Sequence, residues 1–212
     1  MLSTTPRTTL GREKQRGSTD RNDLYEVLDT GLVCHLGVVV NGHPMVVPTG
    51  YGRIGETLYL HGSTGATTLR TGEGGDVCVT VTHVDGIVLA RSIFHHSVNY
   101  RSAVIYGRAR LVTDPDERME GLRALSEQLA PGQWDYVRRP SRKELAATAV
   151  LALSLEEASV KIRRGAPKDE EEDYALPVWA GVLPLVTSWG EPEPDPMLPE
   201  GIGAPVHILH RE

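Results

Sequence analysis

Two short stretches hold most of the side chains that could do chemistry in this 212-residue chain. The first, HGSTGATTLR at residues 61–70, places Gly62 and the hydroxyls of Ser63, Thr64, Thr67 and Thr68 between a strand-like run beginning at Thr57 and a short segment of helical character. Small residues let a backbone close on a ligand, and free amides at a helix start combine with hydroxyls to receive a phosphate. Arg70 adds a charge-assisted donor. The same composition also describes an ordinary Gly/Ser/Thr turn with a capped helix. It is not a Walker A loop, because no Gly-Lys-Ser/Thr follows. The second stretch, RSIFHHSVNYRS at 91–102, gathers two arginines, two histidines, an asparagine and several hydroxyls into one connection between strands. His95 and His96 are neighbours, so in extended backbone they face opposite ways and do not readily share a metal ion. Trp179, in DYALPVWAGVLPL at 173–185, stands out where aromatics are 5% of the chain. Its plane suits either core packing or the wall of a planar cofactor. Lys161, in mid-strand, reads first as an outward-pointing side chain and second as an anion contact.

Several chemistries are disfavoured by what is missing. No GxSxG precedes a helix, and no GxGxxG follows a strand, so neither an elbow-mounted serine nor a dinucleotide fingerprint is present. The acidic residues fall chiefly in helices and in the DEEED run at 169–173, where solvation explains them. A formal net charge of −6 gives no overall field to draw nucleic acid or an anionic membrane. Cys34 and Cys78 lie in apolar runs without CxxC spacing and read as buried reduced thiols. The longest apolar stretches, 36–40 and 149–153, are too short to span a bilayer. Residues 1–18 lack an apolar core and read as a mobile arm of a cytoplasmic protein.

The elements that position these residues follow from periodicity. Leu24, Val27 and Leu28 recur at helical spacing after a Thr19 or Asp20 cap and before Gly31. Asn41-Gly42 between apolar runs predicts a hairpin over 32–53. TLYLHG forms a third strand; DVCVTVTHV alternates Val77, Val79 and Val81 against Cys78, Thr80 and Thr82; and Asp85-Gly86 is expected to turn the chain into a second hairpin, with HHSVNYRS as a polar connection. A strand AVIYGRARLV precedes a helix with Met119, Leu122, Leu125 and Leu129 in one stripe. Ser141 and Glu144 have capping-box spacing, two more strands follow, and VWAGVLPLV makes the last. Residues 19–186 therefore form one domain, mainly β, an antiparallel barrel decorated by short helices, ahead of a proline-rich tail at 187–212.

Three segments, LYLHGSTGATTLR, DGIVLARSIFHHSVNYRSAVIYGRARLV and KELAATAVLALSLEEASVKIRRG with DYALPVWAGVLPL, resemble the pyridoxamine 5'-phosphate oxidase-related flavoproteins, in particular the flavin-nucleotide-binding and nitroimidazole-resistance-like branch. The resemblance spans about residues 20–186. It implies an FMN-binding split β-barrel of Greek-key topology, a homodimer with two FMN sites built from both subunits. By position, His61, Gly62 and Ser63 with the turn through Thr64, Thr67, Thr68 and Arg70 would lie near the phosphate and ribityl chain. Asn99, Tyr100, Arg101 and Ser102 would contribute from the neighbouring strand, with Arg91 and Ser92 opening the same segment. His95 and His96 would flank the isoalloxazine and are the candidates for proton donation; Trp179 would close the site. The implied activity is FMN-dependent oxidation or reduction of a small molecule, with NAD(P)H as a candidate reductant. The alternatives are a non-catalytic flavin store, or a haem- or deazaflavin-using barrel. Two departures stand out. Ala66 and Thr67 occupy the turn where relatives often carry Arg or Lys, which leaves phosphate charge to Arg70, Arg101 or backbone amides. The arginine-rich C-terminal motif of the vitamin oxidases is replaced by the proline-rich tail, so the chain is not expected to oxidise pyridoxine phosphate.

Overall fold

The computed structural model describes residues 1–211, the side chains of Arg70 and Thr71 excepted. In chain order the regular elements are β1 (Gly17–Ser18), α1 (Arg21–Thr30), β2 (Val33–Val40), β3 (His43–Ile54), β4 (Thr57–Ser63), α2 (Thr67–Gly72), β5 (Asp76–Leu89), β6 (Ser97–Arg108) and β7 (Arg110–Leu111). There follow α3 (Pro115–Leu129), α4 (Gln133–Tyr136), α5 (Arg142–Ala147), β8 (Thr148–Ser154), β9 (Ala158–Arg163), β10 (Gly181–Pro184) and α6 (Val206–Leu209). The strands join in the order β1-β9-β6-β5-β2-β3-β4-β8-β7, every pair antiparallel, with β10 on β5. β6 pairs with β9, then runs on into β7, which pairs with β8 at the far side. That continuity closes the sheet into a split barrel.

Alternation along the strands fills it. In β8, Leu151 and Leu153 point into the barrel, whereas Val150 and Ala152 join Tyr59, Val112 and Leu125 beneath α3, so one strand is buried on both faces. Val77, Val79 and Val81 of β5 are buried as their period requires. Leu24, Val27 and Leu28 of α1 are wholly buried and plug one end; Asp20 caps this helix by accepting the Asn22 amide at 2.9 Å. Tyr51 reaches across from β3 and donates its hydroxyl to the Leu28 carbonyl at 2.5 Å. Burial pushes the Tyr51 phenol well above its ordinary range and the Cys34 thiol up to about 12. Of the α3 stripe, Leu125 is buried with Gly121, and Leu129 stays exposed. The Ser141–Glu144 capping box forms as its spacing predicts.

Three expectations change. Asn41 and Gly42 do make a two-residue turn, both at positive φ, but Asp85-Gly86 does not turn the chain. β5 continues through it with a bulge at which the register against β6 shifts between Val84 and Gly86. Strands on both edges, β6 and β10, hold this stretch extended, and the glycine serves a close approach instead: a Cβ at Gly86 would meet the Leu183 carbonyl at 2.9 Å. The hairpin connection lies further on, at 90–96, and the expected polar connection from Ser97 is already strand β6. The N-terminal residues are also placed: Leu2 is buried, β1 pairs with β9, and Arg7 and Thr5 engage Glu157. Within the tail, His207 of α6 meets Gln133 at 2.9 Å.

α3 crosses β3 at Gly52, where a Cβ would stand 2.4 Å from the Ala124 backbone. Gly52→Ala should therefore cost about 1–3 kcal/mol by overpacking, read as a lower urea midpoint, while Gly50→Ala, with no atom within 4 Å of its Cβ position, should leave the midpoint unchanged.

Candidate functional site

The 61–70 segment is built where β4 ends against β8. His61 pairs with Val150, Gly62 with Ala149 and Ser63 with Thr148. Ser63 then folds the turn: its hydroxyl accepts the Gly65 amide at 3.2 Å and its carbonyl accepts the Ala66 amide at 2.9 Å. α2 starts at Thr67 with Ala66 as its N-cap, a residue with no side chain to cap the first turn, so the helix opens on free amides. Gly62 permits the packing beneath, since a Cβ there would lie 2.5 Å from Cδ1 of the buried Leu69. Ser63, Thr64 and Thr67 are exposed and Thr68 is half-buried. His61 has an open face, yet desolvation by its neighbours lowers its imidazole below the ordinary 6.5, so the ring is neutral at pH 7 and supplies no charge to a phosphate. The Arg70 side chain, expected to supply it, lies outside the described residues.

A cation that the sequence reading passed over sits beside this turn. Arg118 of α3 lines a cavity of about 460 Å³ with Thr64, Leu69 and Leu151, donates to the Leu145 and Thr148 carbonyls, and keeps a buried Nε that has no partner among the described residues. A signal was available: Arg118 stands four residues before Leu122 and seven before Leu125, on the apolar stripe of α3. A charged residue on that stripe needs polar company inside.

The 91–102 segment is a different place. Ser92 caps the turn Ile93–His95 by accepting the Phe94 amide, and His96 Nδ1 accepts the Ala90 amide at 3.2 Å, which leaves the proton of a neutral ring on Nε2. Asp169, its side chain fully buried, receives the Arg91 amide at 2.8 Å and the Arg91 guanidinium at 3.0 Å. Burial alone would raise this carboxyl, but the amides of Arg91 and Ser92 and the guanidinium together hold it below its ordinary value. Arg101 makes a forked contact with Asp85 at 3.0–3.3 Å and reaches Glu26 at 3.2 Å. Asn99 is buried between the Gly165 carbonyl and Arg163, Tyr100 pairs with Arg163 across the strands, and the Ser102 hydroxyl donates to the Lys161 carbonyl. Trp179 is 69% exposed; it precedes Gly181, which pairs with Leu89, and so stands at this same hairpin tip. Lys161 reaches back to the Arg12 carbonyl.

Within one chain the two segments do not meet. Glu73, just after α2, bridges Ala109 at the far end of β6, and Ser102 lies seven residues earlier on that strand, about 23 Å away at ~3.3 Å per residue. Arg91 and Arg101 are committed to carboxylates, so neither supplies a free charge.

Residues 20–162 match the sequence profile of pyridoxamine 5'-phosphate oxidase. The chain belongs to this family. Among solved structures it is similar to the flavocytochrome Anf3 from Azotobacter vinelandii, at 39% identity over 99% of this chain and 98% of that one, with a TM-score of 0.93. It is also similar to the FAD and heme binding protein from Mycobacterium smegmatis, at 40% identity over 92% and 96% of the two chains and a TM-score of 0.88. A candidate 5-nitroimidazole antibiotic resistance protein from Bacteroides thetaiotaomicron shares the fold, at 20% identity over 69% of this chain and 86% of that one, with a TM-score of 0.59. A comparison with curated proteins returned no match. The family's split barrel is the one described above.

Two measurements check this site. The His61 imidazole should titrate below 6.5 by NMR; a midpoint at or above that value contradicts its desolvation. Because the Asp169 carboxyl is depressed, its hold on the hairpin tip is present above its ordinary 3.8 and is lost as pH falls through its lower folded value. Asp169→Asn should speed amide exchange at 90–97 by about tenfold or more near neutral pH, with little left for acid to remove.

Proposed function

We propose that this chain binds a flavin nucleotide and a haem and works as an electron-transferring oxidoreductase, with cofactor sites completed by a second copy. The observation that carries the reading is the near full-length likeness, at 39% and 40% identity, to a flavocytochrome and to a FAD and heme binding protein. FMN is the flavin expected from the sequence resemblance, and the name of the second relative favours FAD.

The residues present fit such groups. The free amides at the start of α2, the hydroxyls of Thr64, Thr67 and Thr68 and the guanidinium of Arg118 beside them form a cradle for a phosphate. His61, at the rim of that cradle, is held neutral, the form an imidazole needs to ligate iron. His96 is less suited, since its Nδ1 is engaged and its Nε2 carries the proton; that same Nε2 is a candidate proton donor. Bound flavin and haem would supply hydride and single-electron chemistry, and the protein's part is to orient them and tune their surroundings.

A second copy is favoured by what each chain leaves open. Among the described residues the first half of β3 pairs only with β2, which leaves its other edge open, and Val39, Met45 and Val46 on this hairpin are exposed, Val46 at 65%. In the dimer proposed here the partner's hairpin tip faces this chain's cradle and joins the residues that one chain keeps apart.

The visible spectrum of the purified protein tests the reading. We expect the bands of oxidised flavin together with a Soret band, and bleaching of the flavin by a reductant such as NAD(P)H. A colourless protein that refuses FMN, FAD and haemin contradicts it; flavin that no reductant bleaches would make the chain a store.

A further inference from the structure

The hairpin tip borders a second cavity, of about 530 Å³, whose cationic wall the flavin reading does not use, although His95 and His96 also line it. Its walls carry Arg16, Arg163, Arg164 and Lys168 with the imidazoles of His95 and His96, against the single carboxylate of Glu13. Four cations facing one cavity is unexpected in a chain whose formal net charge is −6. Local structure holds them there: β9 ends at Arg163, and the RGAPK loop turns at Gly165, φ 113, before Asp169 accepts the Arg91 and Ser92 amides.

These charges are only partly spent inside the chain. Arg16 pairs with Glu13 at 2.9 Å, and Arg164 has only Glu26, at 3.8 Å. Among the described residues, Arg163 and Lys168 have no carboxylate within 4.0 Å. Arg163 is instead fixed by the Asn99 side chain and the Gly165 carbonyl, which aims the guanidinium without neutralising it. Its pKa is lowered, first by burial and then by the neighbouring Arg16 charge, which Glu13 and Tyr100 only partly offset. A multiply charged anion would relieve that repulsion and take charge-assisted bonds from several donors at once. The cavity is of the size that takes a nucleotide-scale ligand. At its rim Phe94 is 87% exposed, a ring face available to a base.

We propose that this cleft binds the phosphates of a freely exchanging nucleotide on Arg16, Arg163, Arg164 and Lys168, with Phe94 against the base. It lies at the opposite end of β6 from the same chain's α2 cradle but shares the hairpin tip with the cofactor site proposed above, so the inference rests on that reading, and the flavin content of the variants decides whether the cleft is a second ligand's site. Binding of inorganic pyrophosphate and of ADP to the protein as purified, measured by calorimetry, tests this, with flavin content read separately from absorbance. Arg164→Gln and Lys168→Gln are the variants to use, because both side chains are exposed, whereas Arg163 also holds the loop. The wild type should bind both probes, ADP more tightly through Phe94. Each substitution should weaken pyrophosphate by about tenfold, and raised salt should weaken it further, with flavin content unchanged. Wild-type protein that binds neither probe, or a double variant that binds them as the wild type does, overturns the proposal. So does a double variant that sheds its flavin, since the cleft would then belong to the cofactor's own site. If the protein holds no flavin at all, the pyrophosphate result still decides this inference separately from the function proposed above.

Discussion

The pairing of β5 with β6, registered from Asp76–Arg108 to Val88–Ser97, is the constraint on which the rest depends. Its lower half supplies Val79, Val81, Ala103 and Ile105 to the barrel core, and its upper half leaves the barrel to carry the hairpin tip. Both strands are also used on their outer edges: β2 and β10 along β5, β9 along β6. A shift of one residue in this register would turn the core valines to solvent and misplace Asp85 from Arg101. The tip and the α2 cradle are thus tied to opposite ends of one rigid ladder, and no side-chain motion in a single chain brings them together.

Electrostatics sorts the arginines into two kinds. Arg91 and Arg101 look from their sequence positions like ligand contacts, but buried or partly buried carboxylates, Asp169 and Asp85, engage them and turn them into struts. Breaking either pair to serve a phosphate would leave a carboxylate unpaired in a partly desolvated place, which is costly. The cations with charge to spare are elsewhere: Arg118 beside the cradle, and the group around Arg163.

Much of the fold is legible in the sequence because its signals are local. The valines of β5, the Asn41-Gly42 turn, the Asp20 cap and the Ser141–Glu144 box each encode their element within a few residues, and each forms. Asp85-Gly86 misleads for the converse reason: a turn propensity of small size is overridden by ladders on both edges, and the need for glycine comes from Leu183, about a hundred residues away. The candidate site is less legible. The 61–69 turn can be located from its composition, but Arg118 reaches it only through the packing of α3 on β4 and β8, and Arg163 and Lys168 meet Arg16 only because β1 pairs with β9. Contacts between distant segments leave no pattern in a single stretch of sequence.

The central claim is that the α2 cradle of one chain and the hairpin tip of another make one cofactor site. Mixing two variants tests it most directly: one disabled in the cradle by Thr64→Val, Thr67→Val and Arg118→Gln, the other disabled at the tip by His95→Ala and Trp179→Ala, each unable to retain flavin alone. If the site is shared, exchange of subunits leaves one intact site in every mixed dimer, and flavin should return to about a quarter of all sites. Flavin that stays absent while mixed dimers are shown to form would place the whole site within one chain and contradict the account.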